Sequence, residues 1–360
     1  MVIDCDAHVE ESEATWQYLE PEFHKLRPIP VVFPEDTCFG SHNAAWVIDY
    51  KLRFFAASPT RMKMAEEKLV PIAVQEMTDV SQRLAASDAM GIDTQVVFPS
   101  IWLGTLAENV DLEAALARTY NTFMAGQCNQ SGGRLWYAAV VPWRRADLAT
   151  QEIARVKAMG SAASIFARGI EWDAPLTHPS YRPIFAAAAE HDIPITVHVG
   201  NGSSPTISRM LEGIPRPYLD SSPQIHPLGN GIVSGPYVIY AFQQILGSDL
   251  LDAFPTLRVG FMEAGADWTA QVVKSLKNRK GDKIDDWLGT RVFVSCRIDD
   301  DLPYLASRLG EEFLITATDY PHADANRQDR LADGLMRRGD LGEGTIEKIL
   351  SDNPRRLFRL

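Results

Sequence analysis

The sequence predicts an α/β protein built as a (β/α)8 TIM barrel. Three observations point there. Eight short β-like runs recur along the 360 residues, segments with apolar residues at helical spacing separate them, and no glycine-rich turn follows the first run. An open doubly wound sheet that binds a nucleotide would carry such a turn. The first run spans 2–9 (VIDCDAHV), followed by 93–100 (DTQVVFPS), 135–143 (LWYAAVVPW) and 162–169 (AASIFARG). The remaining four are 193–200 (IPITVHVG), 257–265 (LRVGFMEAG), 291–299 (RVFVSCRID) and 312–322 (EFLITATDYPH). Helices are expected over 76–91 and 148–160, which end on Gly91 and Gly160. Glycine there allows the left-handed turn that stops a helix. Further helices are expected over 181–192 and 238–255, each leading into a strand, and over 346–358 at the end of the chain. Two stretches break the rhythm and read as insertions after strands one and five: 20–75, and 201–235, which is rich in Gly, Ser and Pro. In a barrel both would lie on the C-terminal face, where binding loops are built. The whole of 1–360 reads as one domain.

Composition narrows the function classes. The chain is 46% hydrophobic and 23% charged, enough for a large core and against disorder. Its net charge of -12 leaves no basic footprint, which excludes a nucleic-acid partner. Four cysteines (Cys5, Cys38, Cys128 and Cys296) form no C-x-x-C pair, so reduced, buried thiols are expected and not a thiolate metal site. There is no basic segment leading into an apolar run at the start, and no apolar stretch long enough to span a bilayer. A cytoplasmic protein without a membrane partner is the expectation.

Barrel enzymes take their reactive groups from the C-terminal ends of strands. Read that way, strand one supplies Asp6 and His8, strand five His198, strand six Glu263 and strand eight Asp319. Each has an ordinary reading by itself: Asp6 as a cap, His198 as a hydrogen-bonded core histidine, Asp319 as the start of a turn before Tyr320 and Pro321, Glu263 as a neighbour of a helix start. Their joint placement at one mouth points to a site. Alternation with period two sets Asp4, Asp6, His8 and Glu10 on a single strand face. Two imidazoles with two or three carboxylates suit a divalent cation: zinc first, manganese or iron as alternatives. Such an ion lowers the pKa of a bound water and makes it a nucleophile, while a neighbouring carboxylate takes and returns the proton. His24, His42, His178 and His191 fall in loops or helices and read as structural or surface residues. His226 and His322 follow strands and are placed to line the mouth.

Several segments, taken in order, carry a resemblance. They are IDCDAHVEESEATW, MGIDTQVVFPS, YNTFMAGQCNQSGGRL, ITVHVG, FPTLRVGFMEAGADW, ATDYPH and ILSDNPRRLFRL. Over essentially its whole length the chain resembles the amidohydrolase superfamily, in the amidohydrolase-2 branch related to aminocarboxymuconate semialdehyde decarboxylase. The resemblance implies a (β/α)8 barrel with a divalent metal at its mouth. By similarity the ligands would be Asp6, His8, His198 and Asp319, with Asp319 also serving in proton transfer. The family's H-x-H or E-x-H on strand one reads here as Asp6-Ala7-His8. Strand four (SIFARG) lacks the lysine that bridges two metals in binuclear members, so one ion is expected. Decarboxylases of the family carry a histidine on strand six where this chain has Glu263. That departure tilts the reading towards hydrolysis, with Glu263 and Asp319 as catalytic carboxylates. Arg168, Arg297 and His322 are the candidates to bind substrate, the arginines through a carboxylate. The leading expectation is therefore a hydrolase acting on an amide, ester, lactone or thioester of a small molecule. The second is a metal-dependent, non-oxidative decarboxylase of an aromatic or enoic acid, and the third a barrel that binds metal or ligand without turnover. The resemblance also implies a homo-oligomer, a dimer first.

Overall fold

The computed structural model describes residues 1–34, 44–53, 70–200, 229–322 and 327–360. The chain enters on β1 (Ile3–Val9), every residue of which is buried. Such a strand is shielded on both faces, as parallel strands covered by helices are. The first insertion then forms an antiparallel sheet of β2 (Ile29–Val32), β3 (Ala44–Ile48) and β4 (Lys51–Arg53). These strands are short, and β2 and β4 are largely exposed, so they leave little hydrophobic alternation to read in the sequence. The barrel resumes with β5 (Thr94–Pro99), β6 (Leu135–Ala139) and β7 (Ala162–Arg168). A two-residue hairpin, β8 (Ile170–Glu171) and β9 (Ala174–Pro175), precedes β10 (Ile195–His198). The wall is completed by β11 (Val259–Phe261), β12 (Val292–Cys296) and β13 (Leu314–Thr316).

All eight expected barrel strands are present and pair in parallel in the order β1-β5-β6-β7-β10-β11-β12-β13. This is the expected α/β barrel. Its register is interrupted between β6 and β7 at Tyr137 and Ala138, and the register of β1 against β5 slips between Asp4 and Ala7. The extra residue in β1 re-aims the side chains that follow, so one unbroken alternating face from Asp4 to Glu10 is not what forms.

The helix expected over 76–91 occupies Val80–Met90, started by Asp79, whose side chain accepts from Gln82 N at 3.0 Å, and stopped by Gly91 at φ 73°. Helices at Ala146–Met159 and Arg182–Glu190 match their expected positions. The helix expected over 238–255 is two, Gly229–Gly247 and Leu250–Ala253. The C-terminal one is Glu343–Glu347 and Asn353–Phe358 joined by a π turn. The longest helix without a sequence expectation, Val110–Cys128, is buried around most of its circumference, which removes the polar face that would mark it. Most of the second insertion, including His226, lies outside the described residues, as do His42 and Cys38. Cys5, Cys128 and Cys296 are buried free thiols, as expected.

The seam between β1 and β13 is closed by a different device from the other ladders. His8 N donates to Tyr320 O at 2.7 Å, and Asp319 N donates to Asp6 O at 2.8 Å. Beneath them the buried Asp4 carboxylate accepts from Thr318 N (2.8 Å), Thr318 Oγ1 (2.6 Å) and Gln95 Nε2 (2.9 Å). Just past the end of β6 Asn121 plays the part of a neighbouring strand. Its Nδ2 donates to Val140 O at 2.7 Å, and its Oδ1 accepts from Val140 N at 2.9 Å. Asn121→Leu strands both buried backbone groups, so a loss of about 2–4 kcal/mol is expected, read as a shift in the urea midpoint.

Candidate metal centre

The strand ends bring five of the expected residues into one buried cluster. His8 Nε2 lies 3.3 Å from Asp6 Oδ1 and 3.4 Å from Asp319 Oδ1. His198 Nε2 lies 3.1 Å from Asp6 Oδ2 and 3.3 Å from Glu263 Oε2. Asp6 thus stands between the two imidazoles with one oxygen towards each. Asp6 Oδ1, His8 Nε2 and His198 Nε2 are buried without a hydrogen-bond partner although they crowd one another. Polar atoms so placed are costly unless something between them completes the bonding. The ligand atoms of Asp6, His8 and His198 all lie within 4.8 Å of one another, and so do those of His8, Asp319 and His322. That is the spacing of groups that share a cation, so the residues fit a divalent metal.

The rest of the chain holds these side chains in place. His198 Nδ1 faces the carbonyl of Val199 at 3.0 Å, which leaves Nε2 for the cluster. The rings of His8 and His322 stack with centroids 4.0 Å apart. Glu263 and Asp319 both have φ of 59°. This left-handed conformation is unfavourable for residues with a Cβ and costs about 1–3 kcal/mol in each case. It appears here at the two expected catalytic carboxylates, where it turns the chain sharply at the strand mouth.

Electrostatics follow from this crowding. Burial by itself would raise the Asp6 carboxyl, but His198 and His8 hold it well below the usual range. Burial, with His322 and His198 nearby, pushes His8 down to about 3. Burial would lower His198 too, yet the charges of Asp6 and Glu263 raise it to about 9. His322 rises to about 10 against its burial because Asp319 lies beside it. Burial, then the charge on Asp319, lifts Glu263 to about 8. Without a metal the cluster retains protons; a bound cation would release them.

The substrate candidates separate. Arg168 is buried and committed to the fold: it pairs with both oxygens of Glu171, and its Nη1 donates to Trp102 O (3.2 Å) and Gly104 O (2.8 Å). The expectation that it grips a substrate carboxylate is corrected, since its donor groups are engaged by the β7–β8 corner and the loop after β5. Arg297 stands at the edge of a cavity of about 20 Å³ lined also by Asp6, Glu263, Ser295, Asp319 and Gln328, room for one water or ion. A larger cavity of about 530 Å³, lined by Trp143, Arg144, Trp172, His178 and Tyr181 among others, contains none of the cluster. Asp6, Glu263 and Asp319 of the cluster line the smaller one. His322 adjoins the cluster: its Nδ1 is 2.8 Å from Asp319 Oδ1 and its Nε2 is 2.9 Å from Ser100 Oγ. Glu10 reaches His322 Nε2 at 3.7 Å and is not a member of the cluster. Ser100, which also lies 3.4 Å from His8 Nδ1, is the residue the sequence reading missed. It is the last polar residue of strand two, so the same strand-end rule would have found it.

The family model described as Amidohydrolase matches residues 3–360. A gamma-resorcylate decarboxylase of Rhizobium radiobacter is 27% identical over 191 residues, covering 49% of this chain and 53% of that enzyme. The matched part therefore spans about half the length of that curated relative. An amidohydrolase from Mycobacterium avium subsp. paratuberculosis K-10 superposes with a TM-score of 0.76 at 18% identity, over 99% of this chain and 97% of its own. A 5-carboxyvanillate decarboxylase from Novosphingobium aromaticivorans DSM 12444, complexed with manganese and 4-hydroxy-3-methoxy-5-nitrobenzoic acid, gives a TM-score of 0.67 at 20% identity over 100% of this chain and 96% of its own. At these identities the two structures show a common fold.

Two outcomes are expected at the centre. Protein reconstituted with manganese or zinc should retain the ion through gel filtration, and His198→Ala should lose it, as read by elemental analysis. The second concerns Asp300, whose Oδ2 accepts from Ala266 N and Arg297 N, each at 2.8 Å, and so ties the ends of β11 and β12. Burial lifts its carboxyl from 3.8 to about 6. A folded pKa above the unfolded one gives stability that is complete below the unfolded value and is lost as pH rises through the folded value. Asp300→Asn keeps both bonds through its amide oxygen. Its melting temperature should therefore vary less than wild type between about pH 4 and 7, and exceed it at the upper end.

Proposed function

This chain belongs to the amidohydrolase family, and from that premise we propose that it is a metal-dependent, non-oxidative decarboxylase of a hydroxy-substituted aromatic acid. The observation that carries the reading is the convergence of Asp6, His8 and His198, with unpartnered atoms facing one another, beside the acidic pair Asp319 and Glu263. Relatives of two kinds support the substrate class: the Rhizobium enzyme is named for a resorcylate, and the Novosphingobium structure holds a phenolic benzoic acid. The earlier tilt towards hydrolysis rested on Glu263 replacing a histidine. Glu263 lies in the same ring of contacts, 3.3 Å from His198 Nε2, where a carboxyl is as able to carry a proton as an imidazole. Its acidity therefore does not favour water attack over carbon protonation.

Asp6, His8, His198 and Asp319 would hold the ion. Bound there, a divalent cation supplies positive charge that draws the oxygens of a hydroxy acid and steadies the negative charge that builds as carbon dioxide leaves. The manganese in the Novosphingobium relative makes manganese the first choice, ahead of zinc. In the reaction the bond between ring carbon and carboxylate breaks, its electron pair stays on the ring carbon, carbon dioxide departs, and one proton completes the carbon. Asp319 delivers that proton, sharing it through Oδ1 with His322 Nδ1. Ser100 Oγ orients His322 from the far side of the ring. Glu263 is the second acid, and Arg297, whose Nε donates to Asp299 Oδ1 at 3.0 Å, is the arginine at the cavity edge that would meet the substrate carboxylate. Among the described residues no helix is long and apolar enough to cross a membrane. A cytoplasmic homodimer completes this reading.

The test is turnover of hydroxybenzoates by manganese-loaded protein. Carbon dioxide should appear, the product should carry one deuterium from D2O at the vacated ring carbon, and solvent oxygen-18 should be absent from it. Oxygen-18 in a product carboxyl from an ester or amide panel, without release of carbon dioxide, would return the assignment to hydrolysis. Asp319→Asn should lower kcat by about 10²–10⁴-fold.

A further inference from the structure

A buried cation outside the cluster reaches both halves of it. Arg83, on the Val80–Met90 helix, has no solvent exposure. Its Nε donates to Gln95 Oε1 at 2.9 Å, and its Nη1 donates to His8 O at 3.1 Å and Val74 O at 3.2 Å. Nη2 reaches Tyr320 O at 3.5 Å, and the guanidinium carbon lies 5.0 Å from the centre of the Tyr320 ring. Gln95 passes the connection on to Asp4, and Asp4 to Thr318. One planar group therefore joins the helix, the end of β1 and the segment after β13.

Placing a guanidinium in a barrel wall is expensive, and an apolar side chain would fill the volume at lower cost. What an apolar side chain could not do is hold convergent carbonyls from separate segments, for which the planar five-donor fork is suited. Two of those carbonyls matter to the site. The His8 side chain is one of the ligands that would hold the ion, and Tyr320 directly follows Asp319, another of them. Tyr320 O also accepts from His8 N at 2.7 Å, and His8 Nε2 to Asp319 Oδ1 is 3.4 Å. The fork thus spans the backbone beside both His8 and Asp319, two of the residues that would hold the ion.

We propose that Arg83 is a positioning residue of the metal centre: by holding the carbonyls of His8 and Tyr320 together, it sets the spacing of His8 and Asp319 and thereby the affinity for the ion. The inference rests on the metal-centre reading, and the experiment separates the two. Arg83→Gln, Arg83→Lys, Gln95→Met and His198→Ala are compared with wild type for manganese affinity by chelator competition, and for the visible spectrum of the cobalt-loaded form. Arg83→Gln and Gln95→Met should weaken manganese binding by about 10–100-fold and shift the cobalt bands, while Arg83→Lys recovers part of the affinity. Folded Arg83→Gln with wild-type affinity and wild-type cobalt bands would overturn the proposal. Should Arg83→Gln fail to fold, Gln95→Met decides by the same two readouts. If wild type binds manganese no better than His198→Ala, the metal-centre reading itself is wrong. If His198→Ala loses the ion and the Arg83 and Gln95 variants do not, only the role of Arg83 is.

Discussion

Closure of the β1–β13 seam is the constraint on which the rest of this molecule depends. A parallel barrel must pair the backbone of its first strand with that of its last, because buried amide and carbonyl groups have no water to turn to. Here the pairing is made by His8 N to Tyr320 O and Asp319 N to Asp6 O. Three of those four residues belong to the cluster, and the fourth, Tyr320, directly follows Asp319. Shutting the barrel and bringing Asp6, His8 and Asp319 together are therefore one structural event. The Asp4 carboxylate, bonded to Thr318 and Gln95 just below, extends the same closure with side-chain oxygens.

Closure produces a concentration of like groups that the fold by itself does not relieve. Carboxylates and imidazoles are packed at 3.1–3.4 Å without aligned hydrogen bonds for Asp6 Oδ1, His8 Nε2 and His198 Nε2. Glu263 and Asp319 are held in left-handed backbone besides. Strain and unfulfilled bonding gathered at one strand mouth are what a site preorganised for a cation looks like before the cation is considered. Arg83, Ser100 and the Val199 carbonyl then act at one remove, each on the far side of a residue in or beside the cluster.

Much of this was legible in the chain. The eight strands follow from apolar runs of strand length separated by helix signals. The rule that barrel chemistry lies at strand ends picks out Asp6, His8, His198, Glu263 and Asp319 without coordinates. Arg168 shows the limit of that rule. It also ends a strand, but its partner Glu171 lies three residues on, in the first strand of a hairpin too short to be seen in sequence. The helix at Val110–Cys128 was invisible for the opposite reason, being apolar on too many sides to show a stripe. The choice between hydrolysis and decarboxylation was not legible in residue type, because Glu263 beside His198 can carry a proton for either reaction.

The barrel, the order of its strands and the groups at its mouth can be read along the chain, because hydrophobic periodicity and strand-end position are local properties. Folding alone settles which of those groups meet, how Arg168 is tied to Glu171 and how the first strand is held against the last. Those depend on contacts between residues as far apart as Asp4 and Thr318, and no local pattern encodes the distance between them.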